Sequence, residues 1–522
     1  MITNPILRGF NPDPSICRVG DIYYIATSTF EWFPGVQVFR STDLNDWTLV
    51  ARPLNRADLL DMRGVPDSCG VWAPCLSYAD GKFWLAYTNA KRFDGDFKDT
   101  PNYLTWCETV DGDWAEPVYL NSSGFDPSLF HDEDGRKWLV NMVWDHRPDR
   151  TYFYGIMLQE YSVDEARLVG SRTHIFPGSK LGCTEGPHLY KRNGYYYLMT
   201  AEGGTGYHHA VTLARSRNLE GPYEIDPAGS FITAKDAPGA PLQRCGHGSY
   251  VETPDGEHLV AHLCSRPIGD RRRSPLGRES ALRRVVWSED GWLRLESGEA
   301  SAPLDPNYAE DQRYTFDTGE LHSDFQWLRT PDPGEVFDLS ARPGSLRLMG
   351  RESLGSLFNQ ALLARRQTTF IYTAETCVEF LPEDFQQMAG LVCYYNGHKY
   401  HYLYLSYDPL VGRHLGIMSC EGDLSLHGKY PIQDSLVTIP GDKAVYLKAE
   451  VNFEELQFFW SLDGAGWTPI GPKLDAGVLS DEAGKGEGAN FTGAFVGMCC
   501  QDLTGRQLPA DFAYFHYVGR DR

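Results

Sequence analysis

Asn193-Gly194-Tyr195-Tyr196-Tyr197-Leu198 decides the fold: a tight turn runs straight into an aromatic strand, and the chain does this five times in its first 265 residues. The other copies are Gly20-Asp21 before Tyr23-Tyr24-Ile25-Ala26, Asp80-Gly81 before Phe83-Trp84-Leu85-Ala86, Asp134-Gly135 before Trp138-Leu139-Val140, and Asp255-Gly256 before Leu259-Val260-Ala261. Asn-Gly and Asp-Gly favour hairpin turns because both residues tolerate positive φ. A short strand precedes each turn, opening at Asp13-Pro14-Ser15, Trp72-Ala73-Pro74, Asp126-Pro127-Ser128, Glu185-Gly186-Pro187-His188 and Gly246-His247-Gly248. Outside the hairpins, Arg40-Ser41-Thr42-Asp43-Leu44 is echoed by Arg215-Ser216-Arg217-Asn218-Leu219. The period is about 53 to 62 residues. Five units of that size, each a small antiparallel sheet, predict a five-bladed β-propeller over residues 1–300.

Working outward, the repeat stops near residue 300. Residues 297–311 are rich in Ser, Ala, Pro, Glu and Asp without strand alternation, which predicts a linker over 301–313. Strands return after it, among them 391–395 and 400–406 joined by Asn396-Gly397, and 446–452 followed by 456–461. They predict a single β-sandwich over 314–522. Helical periodicity is nearly absent, so the whole chain reads as all-β.

A chain of 522 residues suits two such units, and 42% apolar residues supply their cores. The 13 Trp, 29 Tyr and 26 Phe mostly serve sheet packing, with a few free to stack on sugar rings. The formal charge of −22 repels phosphate, which argues against nucleic acid and anionic membranes as partners. Met1-Ile2-Thr3-Asn4-Pro5 shows neither a basic nor an apolar leader pattern, and no apolar run of membrane-spanning length follows. The 12 cysteines lack C-x-x-C pairing and read as reduced thiols, so a cytoplasmic location is expected.

In a propeller the innermost strands line one axis, so equivalent positions of successive blades converge. The repeat is read as setting Asp13, Asp126 and Glu185 at one such position. A single Asp before Pro is a turn former. Three acidic residues at one phase need another reason, because burying carboxylates together is costly. Glycoside hydrolysis supplies one. It uses a neutral carboxylic acid to protonate the departing oxygen and a charged carboxylate to activate water or attack directly. A third carboxylate can raise the acid's pKa.

Phe10-Asn11-Pro12-Asp13-Pro14-Ser15, Phe125-Asp126-Pro127-Ser128 and Thr184-Glu185-Gly186-Pro187-His188 resemble the three signature segments of glycoside hydrolase family 43. The likeness continues through Ser28-Thr29-Phe30-Glu31-Trp32-Phe33-Pro34-Gly35, Arg244-Cys245-Gly246-His247-Gly248, Leu276-Gly277-Arg278-Glu279 and Phe491-Thr492-Gly493-Ala494-Phe495-Val496-Gly497-Met498. It points to the two-domain β-xylosidase branch, whose members often also cleave terminal α-L-arabinofuranosides. The resemblance implies a concanavalin-like sandwich and an inverting mechanism: Asp13 as general base, Glu185 as general acid, and Asp126 setting the acid's pKa and position. Base and acid would then stand roughly 6.5–9.5 Å apart to admit water. It implies exo-release of D-xylose from the non-reducing end of β-1,4-xylo-oligosaccharides, with arabinofuranosidase as a side activity or, alternatively, the main one. It further implies a homo-oligomer, dimer or tetramer, and no required cofactor.

Other residues are candidates for the site, most with more than one reading. Arg278 matches the family's arginine that forks onto sugar hydroxyls, and is otherwise a surface arginine. His247, at the hub phase of the fifth blade, can bind a divalent cation such as calcium through water, bond to the carboxylates, or be a satisfied core histidine. Phe30, Trp72 and Trp144 match aromatic walls of the sugar subsite or serve blade packing. Phe491 matches the residue that caps the pocket from the second domain, which favours short substrates. The stretch 266–275, with Arg271-Arg272-Arg273, departs from the family by being short and basic, and so puts the leaving-group subsite in question. A retaining fructan- or sucrose-type hydrolase on the same propeller would carry Arg-Asp-Pro where this chain has Phe125-Asp126-Pro127. A non-catalytic sugar-binding propeller would not need all three carboxylates.

Overall fold

The computed structural model of the chain describes residues 2–296, 304–305, 307–422, 432–483 and 490–522, and only the backbone of 432–435. Five antiparallel sheets form the N-terminal propeller. The first blade contains Ser15–Val19, Ile22–Thr27, Gln37–Ser41 and Thr48–Ala51. The inner strands of the others are Gly70–Ala79, Ser128–His131, Glu185–Arg192 and Gln243–Glu252. Blades stack face to face, so their second strands are covered on both sides: Lys82–Ala90 is buried from Phe83 onward and Ile22–Thr27 from Tyr23 onward. That double burial is why these strands read as unbroken apolar runs rather than alternating ones.

Asp80-Gly81 (φ 55° and 74°) and Asn193-Gly194 (49° and 72°) turn with both residues left-handed, whereas at Asp134-Gly135 and Asp255-Gly256 only the glycine is. The N-terminal segment closes the ring against the last blade. Leu7 and Ser280 exchange two backbone hydrogen bonds of 3.2 Å, and the Asn4 amide accepts from Leu282 N–H (2.8 Å) and donates to its carbonyl (3.0 Å).

Among the described residues, the C-terminal unit is a sandwich of two eight-stranded sheets. One of them ends on a strand from the propeller: Trp32–Phe33 pairs with Gln326–Leu328, and the Trp32 ring stacks on Phe495 at 3.8 Å and 13°. The linker expectation needs correction. Residues 309–313 are not linker but part of the strand Ala309–Thr315, which pairs with Ala510–Arg520. This strand alternates in burial rather than in apolarity, with polar residues on both faces and only Tyr314 fully covered, so its sequence lacks the usual signal. Residues 301–303 and 306 of that stretch lie outside the described residues. Among the described residues, no helix is long and apolar enough to cross a membrane.

Candidate active site

Each inner strand carries a left-handed residue in it or just before it: Asp13 (φ 56°), Ala73 (36°), Asp126 (55°), Gly186 (55°) and His247 (51°). Two residues on, Ser15, Cys75, Ser128, His188 and Ser249 pair with Ala26, Ala86, Val140, Met199 and Ala261 of the second strands, so the five share one phase. Left-handed backbone costs a non-glycine residue on the order of 1–2 kcal/mol, and such strain gathers at functional sites.

The alignment corrects one expectation. Asp13 and Asp126 hold the phase, but in the fourth blade Gly186 holds it and Glu185 stands one residue earlier. A side chain has no room at that phase: a Cβ on Gly186 would lie 2.9 Å from His247 Cε1 and 3.3 Å from Ala201 Cβ. The strand bulges between Glu185 and His188, and Glu185 lines the same pocket as Asp13 and Asp126.

Buried Asp13 is surrounded by donors. Arg278 Nη1 donates to its Oδ1 at 3.0 Å, the Ser28 hydroxyl donates to Oδ2 at 2.7 Å, and His247 Nδ1 lies 3.7 Å from Oδ1. Burial opposes its charge, but Arg278, His247 and Ser28 together outweigh burial and hold the carboxyl below 3.8. The other two shift the opposite way. Burial, then the charge of Asp13, pushes Asp126 up to about 8, although Asp126 accepts the Gly186 N–H at 3.0 Å. Burial, then the charges of Asp126 and Asp13, raises Glu185 well above 4.5, with Arg278 the last and opposing influence. Asp126 and Glu185 thus titrate as a pair. Asp13 is thus pushed toward its charged form and Glu185 toward its protonated one, the split that acid–base chemistry needs.

The pocket encloses about 260 Å³, near the small end of small-molecule sites. Phe30, Trp72 and Phe491 surround it with ring centroids 6.1–6.5 Å apart. Phe491 comes from the sandwich, and its carbonyl accepts from Arg278 Nη2 at 3.0 Å, so one guanidinium holds both Asp13 and the cap. Trp144 also reaches the pocket. Its ring stacks on Tyr152 (5.0 Å, 4°), with the Lys98 ammonium 4.4 Å from its centre. Sequence reasoning missed Phe93, which packs on Phe491 at 5.2 Å and has no local signature. It also missed Thr205, whose hydroxyl accepts from Arg278 Nη1 at 3.2 Å and whose carbonyl accepts from Arg244 Nε at 2.9 Å. The left-handed pair Gly203-Gly204 ahead of Thr205 marks a tight turn and was the available signal.

The basic stretch 266–275 does not line the pocket. Arg271 pairs with Glu454 (3.1 Å) and Asp475 (3.0 Å), Arg273 pairs with Asp475 (2.8 Å), and Arg272 lies over the Tyr207 ring at 3.9 Å. Its charge ties the propeller to the sandwich. His247 offers a cation little company: the Asp13 oxygen it faces at 3.7 Å is already paired to Arg278. Among the described residues, no group of three or more His, Cys, Asp and Glu side chains could hold a metal ion. The residues present therefore do not fit a directly coordinated ion.

The profile of glycosyl hydrolases family 43 matches residues 2–293, and that of a β-xylosidase C-terminal concanavalin A-like domain matches 313–518. Similar proteins include the xylosidase/arabinosidase 43B of Humicola insolens, 53% identical over 99% of this chain and 97% of its own. A β-xylosidase of Bacillus subtilis is 50% identical over 99% of each chain. The crystal structure of a xylan β-1,4-xylosidase from Bacillus halodurans superposes with a TM-score of 0.94 at 49% identity, covering 99% of this chain and 100% of that one. With about half its residues shared end to end and the family profile spanning its propeller, this chain belongs to glycosyl hydrolases family 43.

Proposed function

We propose that the chain is an inverting, exo-acting β-xylosidase that releases D-xylose from the non-reducing end of β-1,4-linked xylo-oligosaccharides, with α-L-arabinofuranosidase as a side activity. The observation that carries this reading is the gathering of Asp13, Asp126 and Glu185 in one small pocket lined by Phe491, where Arg278 and Ser28 bond Asp13 and no such donor meets Glu185 among the bonds described. Asp13 takes a proton from water as the water oxygen bonds to the anomeric carbon. Glu185 gives its proton to the departing oxygen as the glycosidic bond breaks. Asp126 keeps the acid's pKa high and grips the peptide after it through the Gly186 N–H. A capped pocket, unlike an open groove, suits removal of a terminal sugar. The relatives' names support xylose as that sugar, and the Humicola protein's double name supports the side activity.

The twelve free cysteines support a cytoplasmic location, where substrates are short oligosaccharides. The reading needs no cofactor, and exhaustive dialysis against a chelator should leave activity unchanged. A homo-oligomeric assembly goes with the reading and is checked by light scattering. The decisive experiment is proton NMR of the first-formed product, with kcat/KM compared on aryl β-xyloside and aryl α-L-arabinofuranoside. α-Xylose first and a preference for the xyloside support the proposal. β-Xylose first overturns inversion, and a strong arabinoside preference reverses the order of activities. Full activity in Asp13→Ala sinks the assignment altogether.

A further inference from the structure

Ser68 is buried, lies outside the signature segments, and sits where the two units meet over the pocket. Its backbone is left-handed (φ 57°), an unfavourable conformation for a serine. Each of its polar atoms has a separate task. Its N–H donates to Glu31 Oε2 at 3.1 Å. Its carbonyl accepts the Trp72 indole N–H at 3.0 Å. Its hydroxyl oxygen accepts the Phe491 backbone N–H at 3.1 Å. Trp72 is the propeller's wall of the pocket and Phe491 is the sandwich's, so one residue ties both to a common point. Arg278 takes the Phe491 carbonyl, so Ser68 and Arg278 together hold the N–H and the carbonyl of that residue from the propeller side.

The anchor beneath Ser68 is built for the purpose. Glu31 is fully buried, and its second oxygen, Oε1, has no partner. Beside it Asp67 is paired to Arg329 at 2.6 Å and accepts the Gly397 N–H at 3.1 Å, both from the sandwich. A buried carboxyl oxygen without a partner is costly, and the other oxygen of Glu31 holds the N–H of a serine whose backbone is left-handed.

We propose that Ser68 is a positioning residue for the sugar-binding pocket: its hydroxyl docks Phe491 of the sandwich against Trp72 of the propeller and so sets the grip on the terminal sugar. The inference rests on the glycosidase reading for its substrate but not for its geometry. Ser68→Gly separates function from stability. Glycine is at home at φ 57°, so the backbone relaxes, while only the acceptor for Phe491 is lost. Ser68→Ala loses the same acceptor without that relaxation.

The test measures kcat and KM on an aryl β-xyloside, the thermal midpoint, and hydrogen exchange of the segment containing the Phe491 amide, all in the full chain. In both variants KM should rise roughly three- to tenfold, the worth of one buried hydrogen bond, with kcat changed less. The Ser68→Gly midpoint should hold or rise, and exchange at Phe491 should accelerate. A KM that follows the midpoint, or stays at the wild-type value in Ser68→Gly, overturns the proposal, as does unchanged exchange. A wild-type protein inactive on the xyloside overturns the functional reading instead, and the exchange measurement still decides the role of Ser68.

Discussion

Replacing Arg278 with alanine should shift the acid limb of activity while the fold survives. Arg278 Nη1 lies 3.0 Å from Asp13 Oδ1, and both side chains are buried. Opposite charges about 4 Å apart in an effective dielectric near 20 attract by about 4 kcal/mol. At 1.36 kcal/mol per pKa unit, that is about three powers of ten in an ionisation constant. His247 and Ser28 remain beside Asp13 and retain part of the effect. The sign follows from the role. Asp13 works as a carboxylate and its pKa is held low, so activity is lost as pH falls through that pKa; removing Arg278 raises the point of loss. We expect the acid limb of kcat/KM, which reports the free enzyme, to climb by about one to three pH units. KM should rise as well, since the Phe491 carbonyl loses its donor. The assay is the pH dependence of aryl β-xyloside hydrolysis, with circular dichroism checking the fold. Arg278→Lys should restore the limb in part but not KM, because a lysine supplies a point charge without the fork. An acid limb unmoved in a folded, measurably active Arg278→Ala variant would refute the electrostatic account of Asp13.

Three further outcomes are expected. Asp13→Asn and Glu185→Gln should each lower kcat/KM by roughly 10²–10⁴ in protein that circular dichroism shows to be folded. Only Glu185→Gln should regain rate on a substrate whose leaving group needs no proton, and equal rescue of both would contradict their roles. Asp126→Asn can still accept the Gly186 N–H but lacks the charge that raises Glu185. Glu185 works protonated, so activity is lost as pH rises through its pKa, and the basic limb of this variant should move to lower pH; a limb that stays in place counts against the pairing. The double change Arg271→Ser and Arg273→Ser should lower the thermal midpoint by a few degrees, an effect of about 1 kcal/mol that salt reduces in the wild type. KM should not change, and a raised KM would return the basic stretch to the substrate site.

The propeller is legible because its signal is local and repeated. Asp80-Gly81 and Asn193-Gly194 each force a turn, and the strands after them are buried on both faces from Phe83 and from Tyr197 onward. Asp13 and Asp126 are legible for the same reason, each being a left-handed residue before a proline at the repeat phase. Glu185 is only half legible. Its nearness to the phase is plain, but its one-residue displacement depends on His247 filling the space beside Gly186, a contact between residues 61 apart in sequence. Thr205, Phe93 and Ser68 reach the pocket by long-range packing and leave little local trace. The strand Ala309–Thr315 hides because its partner strand, not its own pattern of apolar residues, defines it. The arginines of 266–275 look like a binding patch until their acidic partners, some 180 to 200 residues away, are in view.

The loan of Trp32–Phe33 to the sandwich has a consequence for heredity. A module that can be shuffled between genes must carry its own finished borders, and this sandwich does not. Cut free, it would present the strand Gln326–Leu328 as a raw rim, the kind of border along which foreign chains add and aggregates grow. A lineage that exchanged the C-terminal half for another would have to rewrite the loop around Trp32 in the same event, two residues from the aromatic wall at Phe30. Catalytic half and lid are therefore expected to descend as one unit, and chimaeras joined within 297–308 should fold poorly unless both halves come from the same parent.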